Sequence, residues 1–187
     1  MNDQQSMNGE VKGLKIRVGD HEDLRSMASL LQDALVPLRD VAWLPTERRF
    51  VMVVNRFCWE KLPAEIRERA STAPDQGGED ASFTDVEDLP NFYRVNTGIC
   101  FDRVVGVQAK DIDLSDKDQI LNLLTIASDP DSKSTVVLHF SGGGAVRLKT
   151  SGIHCHLDDI SEPWPSLNQP RHDVKGSGEA EQDPASS

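Results

Sequence analysis

Between Ile99 and Leu157 the chain passes through five apolar or alternating segments, and most of the links between them are only a few residues long. Parallel neighbours in a sheet need a crossover of roughly a dozen residues or more, usually a helix. Links this short leave successive strands little choice but to lie antiparallel. The five segments are Ile99–Val107, Ile120–Ile126, Thr135–Phe140, Ala145–Thr150 and Ile153–Leu157. The first is interrupted at Asp102-Arg103 and again at Gly106, where a bulge is expected.

The N-terminal half extends the pattern. Leu14-Lys15-Ile16-Arg17-Val18 alternates apolar with cationic residues, as a half-buried strand does. The segments LRDVAWL (38–44) and FVMVVNRF (50–57) flank PTERR and read as a hairpin with a five-residue connection. From Phe50 to Val54 both faces are apolar, which places that strand centrally in the sheet. One helix stands among these strands. Asp20 suits the N-cap, Glu22 and Asp23 suit the positive end, and Leu24, Met27, Ala28, Leu31 and Leu35 recur at helical spacing. The spacing predicts a helix over 21–35 closed by Pro37, and a second, short and exposed one over 60–70. The expected fold class is α+β: a mainly antiparallel sheet of about eight strands, rolled or barrel-like, with one N-terminal amphipathic helix.

Charge fixes the boundaries of that body. The 187 residues carry a formal charge of -11, but unevenly. Residues 71–90 hold six acids and no base, residues 175–187 hold three acids and one lysine, and residues 1–12 hold two acids and one lysine. These stretches resemble disordered chain in composition. The expected organisation is therefore a disordered tail over 1–12, a single α+β domain over 13–174 with an acidic mobile loop at 71–90, and a disordered tail over 175–187. The remaining body is close to neutral, which argues against nucleic acid as a partner. No apolar run reaches the roughly 18 residues of a membrane helix, and the polar N-terminus MNDQQSMNGEVKG lacks a signal-peptide core. The expected location is cytoplasmic. Cys58, Cys100 and Cys155 lie far apart among apolar neighbours, as reduced core thiols would, and not in the spacing of a disulfide scaffold or structural zinc site.

The stretch FSGGGAVRL (140–148) resembles a phosphate loop only at first sight. A phosphate loop leads into a helix whose N-terminus supplies the donors, whereas Ala145–Thr150 alternates as a strand. Keeping Phe140 and Leu138 on the face of Val146 and Leu148 demands an odd loop, of three residues (Gly142–Gly144) or five, with His139 opposite Arg147. A three-residue loop wants a glycine in the left-handed region, a role assigned to Gly144.

Three groups of residues carry candidate chemistry. In IHCHLD (153–158), a strand sends His154, His156 and Asp158 to one face, where two imidazoles and a carboxylate suit a divalent metal. Cys155 faces the other way and makes no dyad with either histidine. Arg48, Arg49 and Arg56 flank the central strand with Trp43 and Trp59 at its neighbouring ends, and guanidinium forks beside aromatic rings suit anionic or protein partners. Arg56 has an internal alternative, pairing with Glu60 or Asp102. His139 and Arg147 share a further outer face. Trp164 is read as an anchor for the C-terminal segment. No Ser-His-Asp order, H-E-x-x-H or nucleotide motif is present.

Taken together, WLPTERRFVMVVNRFCWE (43–60), FDRVVGVQAKDID (101–113), LHFSGGGAVRL (138–148) and the W…P.HD ending resemble a bacterial family catalogued as domain of unknown function 2948. The resemblance spans residues 14–174 apart from the acidic 71–90 stretch. It implies a small single-domain cytoplasmic protein and brings no catalytic or ligand residues with it. The functional expectation is a non-enzymatic binding or protein-interaction module, meeting an unidentified protein or a small anionic ligand through Arg49, Arg56, Trp59, His139 and Arg147. The alternative is a metal or small-anion site at His154, His156 and Asp158. The sequence identifies no cofactor.

Overall fold

Asp20 does start a helix: its Oδ1 accepts the N–H of Asp23 at 2.9 Å, and Glu22 and Asp23 lie in the first turn. The computed structural model describes residues 13–61, 92–129 and 132–166. In chain order it contains β1 (Lys15–Val18), α1 (His21–Leu30), β2 (Ala34–Pro37), β3 (Val41–Leu44), β4 (Arg49–Phe57), β5 (Phe92–Phe101), β6 (Val104–Lys110), β7 (Ile120–Asp129), β8 (Ser132–Phe140), β9 (Ala145–Thr150), β10 (Cys155–Asp159) and β11 (Trp164–Ser166). The acidic 71–90 stretch, both tails and nearly all of the expected 60–70 helix lie outside the described residues.

The fold is α+β, and every strand pairing is antiparallel. The order is β1-β10-β5-β4-β2-β7-β8-β9-β6, with β3 added to β4 and β11 to β5. This corrects two expectations. Among the described residues there are eleven strands where about eight were expected, and the sheet is not closed, since its terminal strands β1 and β6 do not pair with each other.

The three extra strands have separate origins. The segment expected as one strand over 99–107 is two, because Arg103 takes a φ of 59° and turns the chain between β5 and β6. The expected bulge lies where the β6–β9 register shifts between Val104 and Gly106. The helix stops at Leu30 rather than at residue 35: Asp33 adopts a φ of 60°, its N–H donates to Leu123 O at 2.9 Å, and β2 enters the sheet between β4 and β7. The third addition is β11, whose Trp164 pairs in register with Arg94. The C-terminal segment is thus tied down by backbone pairing, while the Trp164 ring stays partly exposed. In the first hairpin Leu44 already pairs with Arg49, which leaves a four-residue connection, 45–48, instead of five.

β4 is central, with β5 on one side and β2 and β3 on the other. Its side chains alternate: Phe50, Met52 and Val54 enter the core, where Ile99 and Phe101 of β5 join them. Leu24, Met27 and Ala28 of α1 cover the same core, which reaches Leu138, Leu148 and Leu157 at the far strands. Each such Leu or Phe contributes about 1.5–3 kcal/mol on burial.

The glycine turn keeps the parity the sequence demanded. Leu138 pairs with Val146 and Val136 with Leu148, so the apolar residues share the core face. His139 pairs with Ala145, not with Arg147, which lies opposite Val137. Five residues separate the last paired positions, closed by the Phe140 N–H to Gly144 O bond of 2.8 Å. The left-handed residues are Gly142 and Gly143, with φ of 76° and 87°, while Gly144 has an ordinary φ of -62°. Gly144 serves close approach instead, since a Cβ there would stand 3.1 Å from Ile112 Cγ1 and 3.3 Å from Asp111 O.

Candidate functional site

With the core on one side, β4, β5, β10 and β1 present their other side outward, and register builds a row across it. Val51 pairs with Cys100, Cys100 with His156, and His156 with Arg17. Asp102 follows Cys100 by two residues and falls beside this row. Three adjoining depressions cover the surface. One is lined by His154, His156, Asp158, Asp102, Lys15 and Arg17 among others. The second runs over Val51, Cys100, Gly98 and His156. The third, of about 390 Å³, is lined by Glu47, Arg48, Arg49, Asp102, Arg103 and His154.

Two turns shape that third depression, the β3–β4 turn carrying Arg48 and the β5–β6 turn carrying Arg103. Both arginines occupy the left-handed region, with φ of 54° and 59°. A non-glycine residue there costs on the order of 1–2 kcal/mol, and such strain persists only where surrounding bonds enforce it. They do so here. Arg48 O accepts the Val104 N–H at 2.8 Å, Arg103 O accepts the Ser151 N–H at 3.2 Å, and His154 O accepts the Asp102 N–H at 2.9 Å. Arg49 Nε donates to Asp102 Oδ1 at 2.9 Å, and this hydrogen bond is the main reason its guanidinium is raised above the ordinary value. Arg103 Nη1 lies 2.5 Å from His154 Nε2, and since a guanidinium can only donate, Nε2 is the acceptor. Among the described residues, neither Arg48 nor Arg103 forms an ion pair with a carboxylate.

The sequence candidates divide accordingly. His154, His156 and Asp158 share the first depression, but their donor atoms do not converge: His154 is engaged by Arg103, and Asp158 pairs with Lys15 at 3.0 Å. The ligand atoms that do converge, all within 4.8 Å of one another, belong to Cys100, Asp102 and His156. Cys100 is half-buried on the outer face, unlike Cys58 and Cys155, which are buried. Burial pushes the Cys58 thiol up to about 11 and that of Cys155 higher still, and it raises Cys100 as well.

Arg56 lies on the opposite, inner face and is fully buried. Its five N–H groups are all engaged, by Glu60 at 3.0 and 3.0 Å, by Asp159 at 2.8 to 3.2 Å, by Thr97 Oγ1 at 3.1 Å and by Phe57 O at 3.1 Å. Burial alone would push this guanidinium down, but the bonds from Glu60 and Asp159 outweigh it and hold it above its ordinary value. The other expected acid, Asp102, pairs with Arg49 instead. Trp59 is half-buried, its ring 5.4 Å from that of Phe57. His139 and Arg147 are exposed and line a separate groove with Gln108 and Lys110, which shares no lining residue with the His156 depression.

Sequence reasoning named Arg48 beside Arg49 but missed Arg103, Arg17, Lys15, Cys100 and Asp102 as parts of the same surface. The cue for the last two was the C-F-D spacing, which puts Cys100 and Asp102 on one face of a strand. A family model described as "Protein of unknown function (DUF2948)" matches residues 14–172. No curated protein and no solved structure matches the chain.

Proposed function

Since the chain belongs to the DUF2948 family, whose description assigns no activity, we propose on chemical grounds that it is a non-enzymatic binding module that takes a small anionic ligand. The observation that carries this reading is the pair Arg48 and Arg103, held in left-handed backbone conformations at two turns that bound one depression together with Arg49. Backbone strain concentrates at binding and switch sites because it fixes side chains where relaxed turns would not. Guanidinium forks match carboxylate and phosphate oxygens, and two of the three here have no internal carboxylate to satisfy them among the described residues. In a chain of formal charge -11, such a cationic depression is a distinctive place for an anion to settle.

A thermal-shift titration of the purified protein with inorganic phosphate, pyrophosphate and citrate tests this. Binding at about 100 times Kd would add about 2.7 kcal/mol of stability, a rise of several degrees in Tm. We expect the rise to disappear in an Arg48→Ala, Arg103→Ala double variant and to shrink as salt is added. A parent that ignores all three anions, or a double variant that responds like it, overturns the reading. Turnover of any compound in a metabolite panel would overturn its non-enzymatic part.

A further inference from the structure

We propose that Cys100, Asp102 and His156 form a site for a single zinc ion on the outer face of the sheet. The three side chains reach one point by register. Cys100 and His156 are directly paired across β5 and β10, and Asp102 lies two residues further along the same face. His156 Nδ1 lies 3.6 Å from Asp102 Oδ2, and Cys100 Sγ lies 4.0 Å from Asp102 Oδ1. Donors bound tetrahedrally at about 2.0–2.3 Å from zinc stand about 3.3–3.6 Å apart, so only small side-chain adjustments separate this arrangement from a coordination shell. The donor set is chemically apt: one sulfur, one nitrogen and one oxygen suit a borderline ion such as zinc, not the all-oxygen shells of calcium or magnesium.

Two further observations support the assignment. Arg49 donates to Asp102 Oδ1, leaving Oδ2 directed at His156, and an outer hydrogen bond of this kind orients a ligating carboxylate. The depressions on both sides of the row contain His156, so the fourth coordination position opens toward solvent. Three protein ligands and one open position describe an exchangeable site rather than a closed structural one. Occupancy of this site does not require an anion in the arginine depression.

Cobalt substitution provides the test. The protein, stripped of metal with a chelator and kept reduced by a phosphine, is titrated with cobalt(II). The expected result is visible ligand-field bands of a tetrahedral ion and a thiolate-to-cobalt charge-transfer band in the near ultraviolet, both displaced by zinc. Cys100→Ser and Cys100→Ala should abolish the charge-transfer band. Asp102→Asn and His156→Gln should weaken cobalt affinity by about tenfold or more, and His154→Gln should leave it within about twofold. Circular dichroism of each variant identifies any that fail to fold, and the two Cys100 replacements guard against losing one. A parent without the charge-transfer band, or a band that survives a folded Cys100 variant, overturns the site. So does a band that is lost in His154→Gln but kept in His156→Gln. Because the anion test reads Tm with Arg48 and Arg103 variants and this one reads a cobalt–sulfur band, failure of either is distinguishable from failure of the other.

Discussion

Arg56 stands two residues beyond Val54 on a strand, and that parity directs its side chain into the core with Phe50, Met52 and Val54. The alternation was readable in the sequence, as was Glu60 as one internal partner. The second carboxylate, Asp159, lies 103 residues away and only register reveals it. Removing one member of a buried ion pair leaves the others desolvated without compensation, at about 3–5 kcal/mol. Arg56→Ala should therefore lower the unfolding free energy by about that amount in urea titrations, and Arg49→Ala on the exposed outer face should lower it far less. Cys58 supports a prediction about pH. Its thiol in the fold titrates at about 11 instead of the ordinary 9.0, chiefly through burial, so the folded chain keeps a proton that the unfolded chain releases. The resulting stability is fully present below pH 9 and is lost as pH rises through about 11. Urea midpoints measured across that alkaline range should fall, and should fall less steeply in Cys58→Ala.

At the level of elements, signals carried by neighbouring residues were read well. The Asp20 cap is an example, and Asp20→Ala should cost about 1 kcal/mol. The odd parity of the glycine turn is another, because a hydrophobic face tolerates no one-residue slip. The left-handed positions were misassigned, since the periodicity that fixes parity does not say where inside a loop the chain reverses. Gly142→Ala and Gly143→Ala should each destabilise by about 1–2 kcal/mol from backbone conformation alone, as a Cβ meets nothing within 4 Å at either position. Gly144→Ala should destabilise through contact with Ile112 Cγ1 and Asp111 O instead, and Ile112→Ala, which removes that Cγ1, should relieve part of the cost only for Gly144→Ala. The end of α1 was misread for a comparable reason. Leu31 and Leu35 keep helical spacing, but Ala34 and Val36 also alternate, and the open slot between β4 and β7 decided in favour of the strand.

For the whole molecule, the antiparallel class followed from the short links, whereas the strand order did not, because pairings between distant segments leave no local trace. Cys100 and His156 were readable as residues but not as partners, and the metal candidate read from one strand alone was His154, His156 and Asp158. The order also makes the late segments indispensable: β10 fills an interior place between β1 and β5 and supplies Cys155, Leu157 and Asp159 to the buried interior. A chain ended after Gly152 should lose cooperative unfolding, since those losses approach the about 5–15 kcal/mol that holds most domains folded. Near-ultraviolet circular dichroism and dye binding would report it as a loosely packed state. The pairing of Lys15 with Asp158 carries this into the lifetime of the protein. On the ribosome β1 must wait, its partner still untranslated, and Cys100 emerges well before His156. A nascent chain therefore carries a thiol and a carboxylate with no imidazole opposite them, and an interrupted translation product is born without the outer-face row.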